Sequence, residues 1–144
     1  MSVAQILSSK GRAVHTALAT DKLEAIAKIL ADKRIGSVVI TDAKGGIAGI
    51  LSERDIVRAV ARNGVGALEL PASTVMTSEV RTCGPGDSEG ELMAVMTAHR
   101  IRHLPVVEAG RLTGMISIGD VVKFRIEAIE REAEDMKSYI ATAG

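Results

Sequence analysis

The sequence predicts an α/β (α+β) fold in which two βαββα units pack through their sheets about a pseudo-twofold axis. Three observations lead there: an internal repeat, an order of helix-period and strand-period segments that occurs twice, and a length of 144 residues that suits one continuous core. Shifted by 66 residues, Val14 falls on Val80, Thr16 on Thr82, Asp21 on Asp87, Ile26 on Leu92, Leu30 on Met96, Arg34 on Arg100 and Ile35 on Ile101. One residue lost in a turn resets the offset to 65, and Gly49, Ser52, Asp55 and Val57 then meet Gly114, Ser117, Asp120 and Val122. One copy of about 60 residues cannot cover both faces of its own sheet, so the two sheets should face each other and leave clefts in symmetric pairs.

Each copy opens with a short extended segment, Val14 to Thr16 and Val80 to Thr82. A helix follows, marked in the first copy by Leu23, Ile26, Ala27 and Leu30 and in the second by Leu92, Val95 and Met96. Asp21 and Asp87 stand where N-caps are expected. Two apolar runs then read as a hairpin, SVVIT and IAGIL around DAKGG, and LPVVE and LTGMIS around AGR. The second helix of each copy starts at Ser52 or Ser117, and the first of these ends near Asn63-Gly64, where glycine suits the position after the last turn. Residues 64–74 link the copies. The division is therefore motif 1 over 1–66, motif 2 over 67–125 and a C-terminal amphipathic helix over 126–144. In that tail Val122, Ile126, Ile129, Ala133, Met136 and Ile140 form an a/d stripe, short enough to dock onto the protein's own dimer.

Bulk composition narrows the function. Lys and Arg total 18, as do Asp and Glu, so no global field draws the chain to nucleic acid or to an anionic membrane. A single cysteine, Cys83, excludes an internal disulfide framework and reads as a small residue before a Gly-Pro turn. No charged-then-apolar leader and no 18-residue apolar span is found, which predicts a cytoplasmic protein. With one Phe, one Tyr and no Trp, a planar ligand would have to lie between aliphatic side chains.

The Ser-x-x-Asp corners, Ser52 with Asp55 and Ser117 with Asp120, admit two readings. One is a capping box, in which hydroxyl and carboxylate satisfy backbone amides at the helix start. The other is a ligand site, in which the positive helix tip receives a phosphate and the carboxylate accepts the hydroxyls of a ribose. Gly49 and Gly114 lie just before the serines, where they permit close approach. Arg54 sits in a first helical turn, where a cation opposes the helix dipole and a bound phosphate would offset that cost. Arg58 and Arg62 share its helix face and read as paired with Glu53, Asp55 or solvent. Arg102 and His103 precede the strand that contains Pro105, and at least one of them should reach the cleft between copies.

These duplicated motifs, with HRIRHLPVV, GILSERDI and GMISIGDV, resemble a tandem pair of CBS domains over residues 3–125. The resemblance implies the paired βαββα fold. It also implies adenosine-containing ligands in the two clefts (AMP, ADP or ATP, with NAD or S-adenosylmethionine as alternatives) and a signal passed to a regulated partner. By position, Asp55 and Asp120 would hold ribose hydroxyls, and Ser52 and Ser117 phosphate or ribose. Thr16 and Thr82, with Val38, Leu104, Pro105, Ile50 and Met115, would line adenine slots, and Arg102 and His103 would reach phosphates. Gly36-Ser37 stands in copy one where copy two has Arg102-His103, so the clefts should differ. Free-standing pairs of this type imply a homodimer.

Catalysis is not expected. His15, His99 and His103 show no metal-ligand spacing, and no G-x-S-x-G, H-E-x-x-H or Walker pattern occurs. A structural adaptor whose corners bind nothing is the competing reading. Nucleic-acid binding through Arg54, Arg58 and Arg62 is disfavoured by neutral net charge and absent stacking aromatics.

Overall fold

Alternation of apolar residues along each hairpin decides which sheet face is covered by helices. In the computed structural model, which describes residues 2–143, a leading helix α1 (Val3–Lys10) precedes β1 (Thr16–Leu18), α2 (Leu23–Lys33), β2 (Ser37–Thr41), β3 (Ile47–Ser52) and α3 (Glu53–Asn63). A 3-10 segment over Gly64–Glu69 and the short α4 (Ala72–Val75) lead to the second copy: α5 (Glu89–His99), β4 (His103–Glu108), β5 (Arg111–Ser117) and α6 (Ile118–Ala143). In the first sheet β1 runs parallel to β2, and β2 pairs antiparallel with β3. β4 and β5 repeat the antiparallel hairpin.

Val38 and Ile40 point into one core with Leu23, Ile26, Leu30 and Leu51. Leu104, Val106 and Ile116 point into a second core with Leu92 and Met96. The intervening residues Ser37, Val39 and Pro105 are buried too, although they face away from these helices. Ser37 shares a cleft with His103, Met115 and Ser117 of the other copy.

The lead-in strand of the second copy is shorter than the sequence predicts. Instead of a strand over Val80 to Thr82, one parallel bridge joins Cys83 to Val106, the counterpart of the Ala17–Ile40 pair in β1 and β2. Gly84-Pro85 stands where the first copy has Leu18-Ala19, and both residues disfavour a continuing strand. Cys83 thus occupies the small, buried position of Ala17, and burial followed by the nearby Asp87 charge pushes its thiol up to about 11.

Asp21 and Asp87 are not caps. Their carboxylates accept from the amides of Leu18 and Gly84, both at 2.8 Å, and close the turn before each helix. Lys22 precedes α2 without a side-chain cap, while Ser88 caps α5 through the Glu91 amide. The predicted tail is not a separate element either. α6 runs unbroken through 125 and 126 and buries Val121 and Phe124, leaving Val122, Ile126, Ile129, Met136 and Ile140 exposed.

Packing crosses the predicted domain boundary. α1 belongs to the second core, where Val3, Ile6 and Leu7 are fully buried. The segment expected to link the copies, 64–74, belongs to the first core through Ala67 and Ala72. Matching hydrogen bonds fix both exchanges: Val3 and Ala4 amides donate to Asp87 and Pro85 carbonyls, and Ala72 and Ser73 amides donate to Asp21 and Ala19 carbonyls. Gly114 and Gly49 make room for these segments. A Cβ at Gly114 would lie 2.8 Å from Leu7 Cδ2, and one at Gly49 would lie 2.7 Å from Met76 Sδ, so the glycines admit a side chain rather than a ligand. Leu7→Ala should destabilise the protein by about 2–5 kcal/mol. Urea unfolding followed by circular dichroism measures it, and a loss below 1 kcal/mol would contradict the exchanged packing.

Candidate functional site

Both Ser-x-x-Asp corners are capping boxes. The Ser52 amide donates to Asp55 Oδ2 at 2.9 Å and the Asp55 amide to Ser52 Oγ at 3.3 Å. Ser117 and Asp120 repeat this at 2.9 and 3.1 Å. The amides that begin α3 and α6, those of Glu53 and Ile118, donate to the carbonyls of Gly36 and Arg102. Capping engages Oδ2 of each carboxylate and leaves Oδ1 available. The structural and ligand-binding roles are therefore compatible at one corner.

Each corner opens onto a cleft whose far wall comes from the other copy. Around Ser52 and Asp55, the first cleft adds Ile50, Arg54 and Arg58 from its own copy, and Thr77, Arg81, Arg100, Arg102 and His103 from the second. Around Ser117 and Asp120, the second cleft adds Met115 from its own copy, and Lys10, His15, Arg34, Gly36 and Ser37 from the first. His103 reaches both clefts. The cleft volumes are about 150 and 300 Å³.

Arg102 and His103 line the same cleft because the chain bends at Arg102 before β4 begins. Thr16, Val38, Thr82, Leu104 and Pro105 line neither cleft. Val38 and Leu104 point into the helix-side cores, Pro105 is buried on the face toward the other copy, and Thr16 and Thr82 are exposed beyond the clefts. Their chain neighbours His15 and Arg81 take the lining positions.

Charge separates the two clefts. Five arginines (54, 58, 81, 100 and 102) face three carboxylates (Glu53, Asp55 and Glu79) in the first. Arg100, and its counterpart Arg34 in the second cleft, end their helices in the left-handed conformation with φ of 53° and 54°. A side chain there costs about 1–2 kcal/mol where glycine would cost little. The repeat alignment pairs these two arginines, which is the signal by which they could have been found. Beside Gly36 the imidazole of His103 is close-packed, with Nε2 3.1 Å from where a Cβ would stand. Burial, only partly countered by the Glu53 and Asp120 charges, holds His103 below its usual pKa.

At Asp120, Lys10 Nζ donates to Oδ2 at 2.5 Å and to the Met115 carbonyl at 2.7 Å. Burial works to raise this carboxyl, but the bonds from Lys10 and Ser117 outweigh it and leave the pKa below the ordinary value. Asp55 has only Arg58 nearby, at 3.9 Å. Among the described residues no group of three or more His, Cys, Asp or Glu could hold a metal ion. Among them too, no helix is long and apolar enough to cross a membrane.

Comparison with known proteins gives this geometry a context. The model of the CBS domain matches residues 3–62 and again 72–127. A crystal structure of a CBS-domain containing protein from Agrobacterium tumefaciens superposes with a TM-score of 0.84 at 45% identity, covering 86% of this chain and 92% of that one. The CBS domain pair of protein MJ0100, in complex with 5-methylthioadenosine and S-adenosyl-L-methionine, superposes at 0.79 with 25% identity, covering 89% and 98%. The mitochondrial CBS domain-containing protein CBSX3 of Arabidopsis thaliana is 27% identical over 147 residues, 96% of this chain and 71% of its own.

The His103 environment makes a test in the absence of any ligand. Its folded pKa lies below the unfolded value of about 6.5, so on acidification the unfolded chain takes up this proton first. The contribution is complete above that value and is lost as pH falls through the folded pKa. Stability should decline from pH 7 to 6, and His103→Gln should flatten the decline in urea titrations across that range; an unchanged slope would contradict the burial.

Proposed function

The chain belongs to the CBS-domain family, and from that premise we propose that it is a regulatory module which binds an adenosine-containing ligand and passes the event to a partner protein. AMP, ADP and ATP are the leading ligands, with NAD and S-adenosylmethionine as alternatives. The carrying observation is the pairing of each capped helix tip with a cationic wall from the opposite copy, Arg81, Arg100 and Arg102 in the first cleft and Lys10 and Arg34 in the second. Ser52 with Asp55, and Ser117 with Asp120, would face ribose and phosphate through the unused Oδ1 atoms and the positive helix ends. Ile50 and Met115 would lie against the base. Arg54, Arg102 and His103 would meet phosphate, and the excess of arginines favours a phosphorylated ligand there.

The protein acts in this reading without catalysis: nothing pairs a nucleophile with a base in either cleft. An adaptor that binds no ligand is the second reading, favoured by the fact that the chain itself satisfies its capping boxes.

A homodimer fits the exposed stripe of α6. With Ile126, Ala133 and Ile140 at a and Val122, Ile129 and Met136 at d, positions g hold Arg125 and Glu132 and positions e hold Glu130 and Lys137. A parallel pair would set Arg125 against Glu130 of the second copy and Glu132 against its Lys137, both attractive. Cytoplasmic location and absence of nucleic-acid or membrane contacts complete the proposal, and the regulated partner is a separate protein.

Two measurements test it. Calorimetric titration of the purified chain with AMP, ATP, NAD and S-adenosylmethionine should detect binding by at least one, and Asp55→Ala should weaken it about 5- to 150-fold, the equivalent of about 1–3 kcal/mol. Loss of about 1 kcal/mol of stability with unchanged affinity would instead support capping alone. Sedimentation equilibrium should show a dimer that Ile129→Asp weakens; a wild-type monomer would remove the dimer from the proposal.

A further inference from the structure

The two clefts derive from one duplicated unit, yet in the second a cation is hydrogen-bonded to the corner carboxylate, whereas in the first Arg58 stands 3.9 Å from Asp55. The exchanged segments explain how. α1 spans eight residues and α4 four, so α1 carries one more turn than its counterpart. Leu7 and Met76 hold equivalent places against Gly114 and Gly49. After Met76 the chain leaves at once, and the Thr77 amide donates to the Ile50 carbonyl at 2.9 Å. After Leu7 the helix continues to Lys10, whose Nζ bonds the Met115 carbonyl at 2.7 Å. Met115 is the counterpart of Ile50, so a charged side chain does in one cleft what a backbone amide does in the other. The ammonium reaches Asp120 Oδ2 from the same position.

Lys10 is not a loose surface chain. Val3, Ile6 and Leu7 anchor its helix in the second core, and the C-terminal turn of a helix favours a cation. The second cleft nevertheless holds a buried group that asks for a ligand. Ser37 Oγ, on a residue only 6% exposed, has no hydrogen-bond partner and lies on the cleft wall.

On the reading of the clefts given above, we propose that Lys10 is the residue that makes the two sites unequal: its ammonium, bonded to Asp120 Oδ2, neutralises the carboxylate whose Oδ1 would face the sugar hydroxyls, so the first cleft fills before the second. A ligand in the second cleft meets a weakened acceptor with an ammonium held beside it on the Met115 carbonyl. At the first cleft Arg58 stands 3.9 Å from Asp55 Oδ1, beyond hydrogen-bond reach. The pair then responds in two steps over a wide range of ligand concentration, with Lys10 setting the gap.

Titration of the full chain with AMP, comparing wild type, Lys10→Met and Lys10→Arg, tests the proposal. Wild type should bind one equivalent tightly and a second at least tenfold more weakly. Lys10→Met should tighten the second step tenfold or more and leave the first unchanged, while Lys10→Arg, which keeps the charge, should stay near wild type. Asp55→Asn in the Lys10→Met background should remove the first step and spare the second. Melting temperatures confirm that each variant is folded. Two equal sites in wild type, or a second step that Lys10→Met leaves unchanged or weakens, would overturn the role of Lys10 while leaving the adenosine reading intact. No binding by any of the folded proteins would overturn both.

Discussion

Neither copy closes its own core, and most of what the molecule can do follows from that. α1 covers the second sheet and the 64–75 segment covers the first, each held by matching backbone hydrogen bonds and each admitted by one glycine. Burial of Val3, Ile6 and Leu7 alone contributes on the order of 1.5–3 kcal/mol per side chain. The copies are therefore one cooperative unit, and the repeat visible in the sequence is not a boundary at which the structure can be divided. The same exchange gives each cleft walls from both halves, so a molecule lodged in either one touches the whole unit. Binding energy would act on the relative placement of the halves, which is what a switch requires.

Duplication has left the corners alike and the opposite walls unlike. One far wall offers Arg81, Arg100, Arg102 and His103; the other offers Arg34, His15, Gly36 and Ser37 with Lys10 close by. Gly36 also leaves the space that His103 fills, so the charged side of one cleft depends on the absence of a side chain in the other. On the proposed function the helix tips would supply a common grip, and the walls would decide how much negative charge each site can take.

Much of this arrangement is legible in the sequence. Hairpin bounds followed from short apolar runs between polar turns, and the SVVIT run coincides with β2 (Ser37–Thr41). The Ser-x-x-Asp corners were identifiable because their spacing matches a helix start. What local pattern could not show was which copy would supply the other wall. Apolar strand residues such as Val38 and Leu104 were expected to line slots, yet pleating turns them inward to the helices, and the lining falls to irregular backbone at residues such as Gly36 and Arg102. Asp21 and Asp87 likewise carry an N-cap signal one residue too early, because a turn closed by a carboxylate on the amide three residues before it uses the same residue type. Lys10 lay hidden for another reason. Its partners Asp120 and Met115 are more than a hundred residues away, and no periodicity links them.

Cys83 offers the experimenter an unplanned convenience. Its sulfur is packed where the second sheet joins its lead-in chain, with the thiol held far from the thiolate range at neutral pH. An alkylating reagent acts on thiolate, so modification of the intact fold is suppressed twice, by access and by acidity. The rate of labelling then clocks the opening of the fold around Cys83 without an added probe. Since no other cysteine competes, a single mass increment would follow how tightly the whole unit stays shut.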